Sequence, residues 1–134
     1  MHLLDTDVMV DILAGYAPAL EWLTELDEEE VGISGLVVME LMVGCRNKQE
    51  MERLQRQLEP YRVYWPTGQD CERALTTFPQ AHLSHEMGIL DALIGQCAVG
   101  LRASLCTFNV KHFRAISSLT TKQPYIRRAG RKNE

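Results

Sequence analysis

Four short runs suited to β-strands, His2-Leu3-Leu4-Asp5, Val31-Gly32-Ile33-Ser34, Arg62-Val63-Tyr64-Trp65 and Ser104-Leu105-Cys106-Thr107-Phe108, are separated by stretches each long enough to hold a helix. That alternation constrains the fold more than any other feature of the chain. Strands joined through helical crossovers pair in parallel, and a parallel sheet has to be covered on both faces. The expected class is therefore α/β with a central, mostly parallel sheet. The 134 residues, 46% of them hydrophobic, suit a single domain over residues 1–134 and leave little room for a second.

Between the runs, Val8 to Ala14 has helical length and is closed by Gly15, with Thr6 or Asp7 placed to cap it. Pro18 opens a helix carrying Leu20, Leu23 and Leu26, which runs into the acidic block Asp27-Glu28-Glu29-Glu30. Ser34 can cap a helix through about Cys45, and Gln49 to Leu58 is a further one. Thr67 and Asp70 have capping-box spacing for a helix running toward Pro79. Gly88 to Gly100 is another helix, His112 to Ile116 one more turn, and Tyr125-Ile126 a short edge strand.

Several classes are excluded as expectations. Uncharged, largely apolar runs such as Val31 to Met39 reach about half of what a bilayer requires, and Asp5 interrupts any N-terminal signal region. No membrane partner is expected, and a cytoplasmic location is. Cys45, Cys71, Cys97 and Cys106 lack C-x-x-C spacing and are read as small hydrophobes in a reducing compartment. A core of this size folds without a structural metal, so any metal should be catalytic. Charge is unevenly spread: up to Pro60 there are 4 Lys and Arg against 13 Asp and Glu, a balance of −9, and beyond it 10 against 5, or +5. A basic tail from about Arg127, with Arg128, Arg131 and Lys132, suits phosphates, although a solvated tail would read the same way.

Parallel sheets take their ligands at the carboxyl ends of the strands, where Asp5, Ser34 and Thr107 are expected to lie. Glu40 is the most informative residue, because every other residue from Leu36 to Cys45 is apolar or glycine. A helix apolar all round is buried, and a carboxylate within it must be protonated, paired with an Arg or bound to a cation. Asp91 lies at the border of the apolar stripe Leu90, Leu93, Ile94, Cys97 and Leu101, where it is either a ligand or a first-turn acid favoured by the helix dipole. Three acids in apolar settings make a donor set of hard oxygens, suited to Mg²⁺ or Mn²⁺, which can activate water against a phosphodiester. His82, His85 and Glu86 lack the spacing and the third ligand of a zinc site. Thr107, Asn109 and Lys111 supply a hydroxyl, an amide and an ammonium after the fourth strand, or else a polar turn.

The runs Leu3-Leu4-Asp5-Thr6-Asp7, Glu40-Leu41-Met42-Val43-Gly44, Asp91-Ala92-Leu93-Ile94 and Thr107-Phe108-Asn109-Val110-Lys111-His112-Phe113 together resemble a PIN domain, and more narrowly the VapC toxins of bacterial toxin-antitoxin pairs. The resemblance spans essentially the whole chain. It implies a three-layer α/β/α sandwich, a Mg²⁺- or Mn²⁺-dependent endoribonuclease, a homodimer, and inhibition by a cognate antitoxin. It also implies that Asp5 and Asp91 hold metal, that Glu40 is the third catalytic acid and that Thr6, Thr107 and Asn109 support them. Lys111, Arg127, Arg128 and Arg131 are candidate contacts to RNA. Asn109 departs from the family, many members of which carry a fourth acid there, so a second metal ion should be held weakly or not at all.

Two rivals remain open at this stage. Asp5-x-Asp7 after an apolar strand also opens an aspartate-nucleophile phosphatase, which would leave Glu40 without a role. The acids could alternatively hold a cation in a non-catalytic interaction module.

Overall fold

The computed structural model describes residues 1–127, and the expected basic residues Arg128, Arg131 and Lys132 lie outside them. Five strands, β1 (His2–Leu4), β2 (Val31–Ser34), β3 (Arg62–Tyr64), β4 (Ser104–Cys106) and β5 (Thr120–Lys122), form one sheet in the order β3-β2-β1-β4-β5, every pairing parallel. Neighbouring residues of a strand point to opposite faces. Leu3 and Leu4 are both fully buried, as are Leu105 and Cys106, so both faces of the sheet are covered. The helices are α1 (Thr6–Leu13), α2 (Ala17–Thr24), α3 (Gly35–Val43), α4 (Lys48–Leu58), α5 (Gly68–His85), α6 (Ile89–Leu101) and α7 (Val110–Phe113), with a 3-10 turn at Glu28–Glu30. Helix α1 packs on α2 and α3, α5 lies along α6, and α3 also meets α6. The expected α/β sandwich is the observed one.

The differences from the sequence reading have local causes. Helix α1 starts at Thr6 because Asp5, rather than Thr6 or Asp7, is its N-cap: the Asp5 carboxylate accepts from the Thr6 amide at 2.9 Å. Helix α5 continues through Pro79 to His85, its start fixed by the capping box of Thr67 with Asp70 and its end by Glu86 in a left-handed conformation. The apolar face it lays on α6 outweighs one lost backbone bond. The edge strand falls at Thr120–Lys122 and not at Tyr125-Ile126, and α7 at Val110–Phe113 rather than His112 to Ile116. Helix α3 is buried only in its first turn: Met39 is 45% and Val43 85% exposed, so its apolar sequence leaves an open apolar face. Cys97 and Cys106 are buried as expected, whereas Cys71 is exposed. Among the described residues no helix is long and apolar enough to cross a membrane.

Candidate active site

The centre of the site is the carboxyl end of the central strand. The Asp5 amide donates to the Cys106 carbonyl at 2.9 Å and the Thr107 amide to the Lys122 carbonyl at 3.0 Å, so each ladder extends one step past its strand. These bonds pin Asp5 and Thr107 side by side. The Thr107 hydroxyl then donates to Asp5 Oδ2 at 2.7 Å, while Oδ1 takes the Thr6 amide, and both residues are buried. Asp5 thus serves as helix cap and as the innermost acid of the crevice. The adjoining Thr6 hydroxyl donates to Glu40 Oε1 at 2.8 Å, which ties α1 to α3 and brings the sequence-distant Glu40 to the same place.

Asp91, in the first turn of α6, completes the group: its charge acts on Asp5, and Glu40 acts on Asp91. Asp5 has its pKa pushed up to about 7, chiefly by burial, next by the charge of Asp7 and to a lesser degree by Asp91, against the lowering bonds from Thr107 and Thr6. Asp91 is raised by burial and by Glu40, with His112, at 4.0 Å, acting the other way. Among the described residues no ion pair reaches Asp5 or Glu40, so the Arg-paired alternative for Glu40 is not what is found. A cluster of oxygen donors whose charges oppose one another fits a hard divalent cation in chemistry. In spacing it is open: among the described residues no three Asp, Glu, His or Cys side chains are gathered tightly enough to cage an ion.

The remaining expected residues are distributed unevenly. The Asn109 amide donates to the Thr107 hydroxyl at 3.0 Å, placing Asn109 against the site, and although it stands at the N-cap of α7 its side chain makes no capping bond. Lys111 is exposed on α7. Arg127 turns inward: its guanidinium pairs with buried Asp11 at 3.2 Å, donates to the Asp7 carbonyl at 3.2 Å and lies 3.8 Å from the centre of the Phe108 ring. Its guanidinium is engaged with α1 and with the Phe108 ring. His82 bonds the Met87 carbonyl and stacks on Phe78, and Ser84 bonds His85, which gives these histidines local structural roles.

A PIN domain model matches residues 2–118, spanning β1 to β4 and all the acids just described. The chain belongs to the PIN domain family. It is 34% identical over 130 residues to Ribonuclease VapC19 of Mycobacterium tuberculosis, covering 93% of this chain and 100% of that protein. Its fold is similar to that of a chain in a toxin-antitoxin complex from Klebsiella pneumoniae, with a TM-score of 0.75 at 25% identity over 93% of this chain and 98% of that one. It also matches a chain of FitAB bound to a DNA fragment, with a TM-score of 0.80 at 21% identity over 98% and 100%, a likeness of fold.

One residue of this PIN domain was visible in the sequence but read only as a cap or as part of a rival motif. Asp7 accepts from the Phe108 amide at 3.0 Å through Oδ2, while its buried Oδ1 has no partner among the described residues. Its pKa is raised, mainly by burial, and its charge acts directly on Asp5. The spacing of Asp5 and Asp7, two residues apart at the start of a helix, was the available signal.

The raised carboxyls set the sign of the pH dependence. The folded chain holds the Asp5 proton up to about pH 7, whereas the unfolded chain releases it near the usual 3.8. Stability of the metal-free chain therefore falls as pH rises from about 4 to about 7, as the folded state is asked to give up a proton it binds more tightly. A divalent cation bound there would take over that role once the proton has gone. The thermal shift produced by Mg²⁺ is thus expected to be larger at about pH 8 than at about pH 5, by scanning calorimetry. Equal shifts at both values would mean that these acids do not hold the ion.

Proposed function

We propose that this chain is a metal-dependent endoribonuclease, the toxin of a toxin-antitoxin pair, inhibited by its cognate antitoxin. The observation that carries this reading is the convergence of Asp5, Glu40 and Asp91 at the carboxyl end of a parallel sheet, with Asp5 raised to about 7 by burial beside other acids. The ribonuclease relatives at 34% identity and the toxin-antitoxin complex at 25% support it. Asp5 and Asp91 would hold Mg²⁺, or Mn²⁺ in its place. When bound, such an ion neutralises charge on the phosphodiester and makes water a stronger nucleophile.

The residues of the chain divide the remaining work. The Thr107 hydroxyl holds Asp5 Oδ2 in orientation, and Thr6 holds Glu40 Oε1. Glu40 Oε2 is the atom we assign to take the proton of the attacking water. A phosphatase with Asp5 as nucleophile would need a lysine beside it, and Lys111 enters none of the interactions that act on Asp5. The exposed Met39, Val43 and Leu20 on α3 and α2 offer apolar surface to a second copy of the chain and to an antitoxin helix. A basic antitoxin group entering the acid cluster would neutralise it and compete with the ion. The unpaired thiols fit a cytoplasmic location.

The decisive assay is incubation of purified protein with RNA, with and without Mg²⁺, Mn²⁺ and EDTA. Cleavage that EDTA stops and added metal restores is expected. No cleavage at any metal concentration would leave the non-catalytic module standing.

Asn109 offers a second test. It adjoins Thr107, its side chain is not spent on capping, and an amide brings no charge to the site. Asn109→Asp is expected to bind an additional Mn²⁺ and to lower the metal concentration needed for half-maximal cleavage. Isothermal calorimetry reads the stoichiometry. An unchanged stoichiometry and metal dependence would mean that the side chain faces away from the acids.

A further inference from the structure

We propose that Trp65 is a stacking platform for a nucleobase of the RNA beside the scissile phosphate, an inference that rests on the endoribonuclease reading above. Trp65 directly follows β3, at the same carboxyl end of the sheet as Asp5 and Thr107, and is 57% exposed. It is a large aromatic left exposed at the end of the sheet that carries Asp5 and Thr107.

Its ring is built in on one side only. A Cβ on Gly35 would overlap Cε2, Cζ2 and Cη2 of Trp65 at nearly equal distances, so the glycine lies under the face of the six-membered ring and not at its edge. Any side chain at position 35 would displace the indole. With one face laid on the first residue of α3, the exposed surface of Trp65 is the other face and the ring edges. Pro66 follows and confines the Trp65 backbone to extended conformations, which stiffens the mount. A flat, half-covered, rigid ring with an open face is the form in which proteins receive an unstacked base.

The spacing to the acids suits a neighbouring nucleotide. β3 and β1 are separated by β2 alone, so Trp65 stands about 10 Å across the sheet from Asp5. By register, Gly32 is level with both Leu3 and Arg62, which puts Asp5 level with Tyr64 and Trp65 one step further along the chain. Along α3, Gly35 and Glu40 are separated by about 7.5 Å of helix rise. The seat of the platform, Gly35, and Glu40 thus share one helix. A base adjacent to the cleaved bond, or next but one, reaches Trp65 while its chain runs past the acids. The substrate this favours is RNA in a loop or single strand, where bases can be splayed out.

Trp22 is the other of the two tryptophans, so Trp22→Phe makes Trp65 the sole indole reporter. In the Glu40→Gln background, where cleavage is expected to be abolished while Asp5 and Asp91 are kept, a short single-stranded RNA is expected to quench its fluorescence. Trp65→Ala should raise KM for the cleavable RNA about 5- to 100-fold with little change in kcat, the loss of one base stack, and Trp65→Phe should recover most of it. Wild-type cleavage with an unaltered KM in a folded Trp65→Ala protein, or no quenching, overturns the platform. Loss of antitoxin binding in Trp65→Ala with unchanged RNA cleavage also overturns it and marks Trp65 as a protein contact. Quenching without cleavage by the wild type would keep the platform and remove the endoribonuclease reading instead.

Discussion

Replacing Asp5 with Asn is expected to lower RNA cleavage by more than about 100-fold, beyond the 10- to 100-fold typical of losing an outer-shell partner of a metal, while raising the melting temperature of the metal-free chain at neutral pH. The two effects have one cause. Asp5 is buried, repelled by Asp7 and Asp91, and raised to about 7, so its charge at neutral pH opposes folding unless a cation offsets it. The Asn amide keeps the shape and the oxygen that accepts the Thr6 amide at the head of α1, yet carries no charge for a metal or for its neighbours to act on. Stability and activity should therefore move in opposite directions, which a merely misfolded variant could not produce. Asp91→Asn and Glu40→Gln are expected to abolish cleavage likewise. Purified Asp5→Asn protein cleaving RNA at the wild-type rate, with metal affinity unchanged, would sink the assignment of the site.

How much of this was legible beforehand depended on whether a residue's environment lay near it in sequence. Glu40 stood out because its own helix is apolar around it, and Asp5 because it ends an apolar strand. Four strands were readable from short apolar runs, whereas β5, Thr120-Thr121-Lys122, has no such run, since an edge strand need bury little. The sequence overstates the burial of α3 for a related reason: apolar sequence marks surface that can be covered but not what covers it, and Met39 and Val43 stay exposed. Arg127 reads in the sequence only as one cation of a basic tail, because its partners Asp11 and Asp7 are far away in sequence.

The partners of Arg127 lead to a sharp test. Arg127→Ala is expected to destabilise the chain by about 3–5 kcal/mol, the usual cost of removing one partner of a buried ion pair. Asp11 is 2% exposed and Arg127 13%, so the pair sits largely out of water. The same Asp11 Oδ2 accepts from the Tyr125 hydroxyl at 2.7 Å, and Tyr125 meets Phe108 edge-on with ring centres 5.0 Å apart. Removing the guanidinium thus strips Asp11 of a countercharge, the Asp7 carbonyl of a donor and the Phe108 ring of its cation at once. Phe108 directly follows Thr107, whose hydroxyl orients Asp5, so cleavage should weaken together with stability. Arg127→Lys is expected to recover only part of the loss, because one ammonium cannot reproduce a planar fork reaching two oxygens and an aromatic face. Urea unfolding measures the first effect and RNA binding separates the alternatives. A variant of wild-type stability with weakened RNA affinity would return Arg127 to the surface as an RNA contact, whereas a destabilised variant whose folded fraction binds RNA normally identifies it as the bolt between the C-terminal segment and α1.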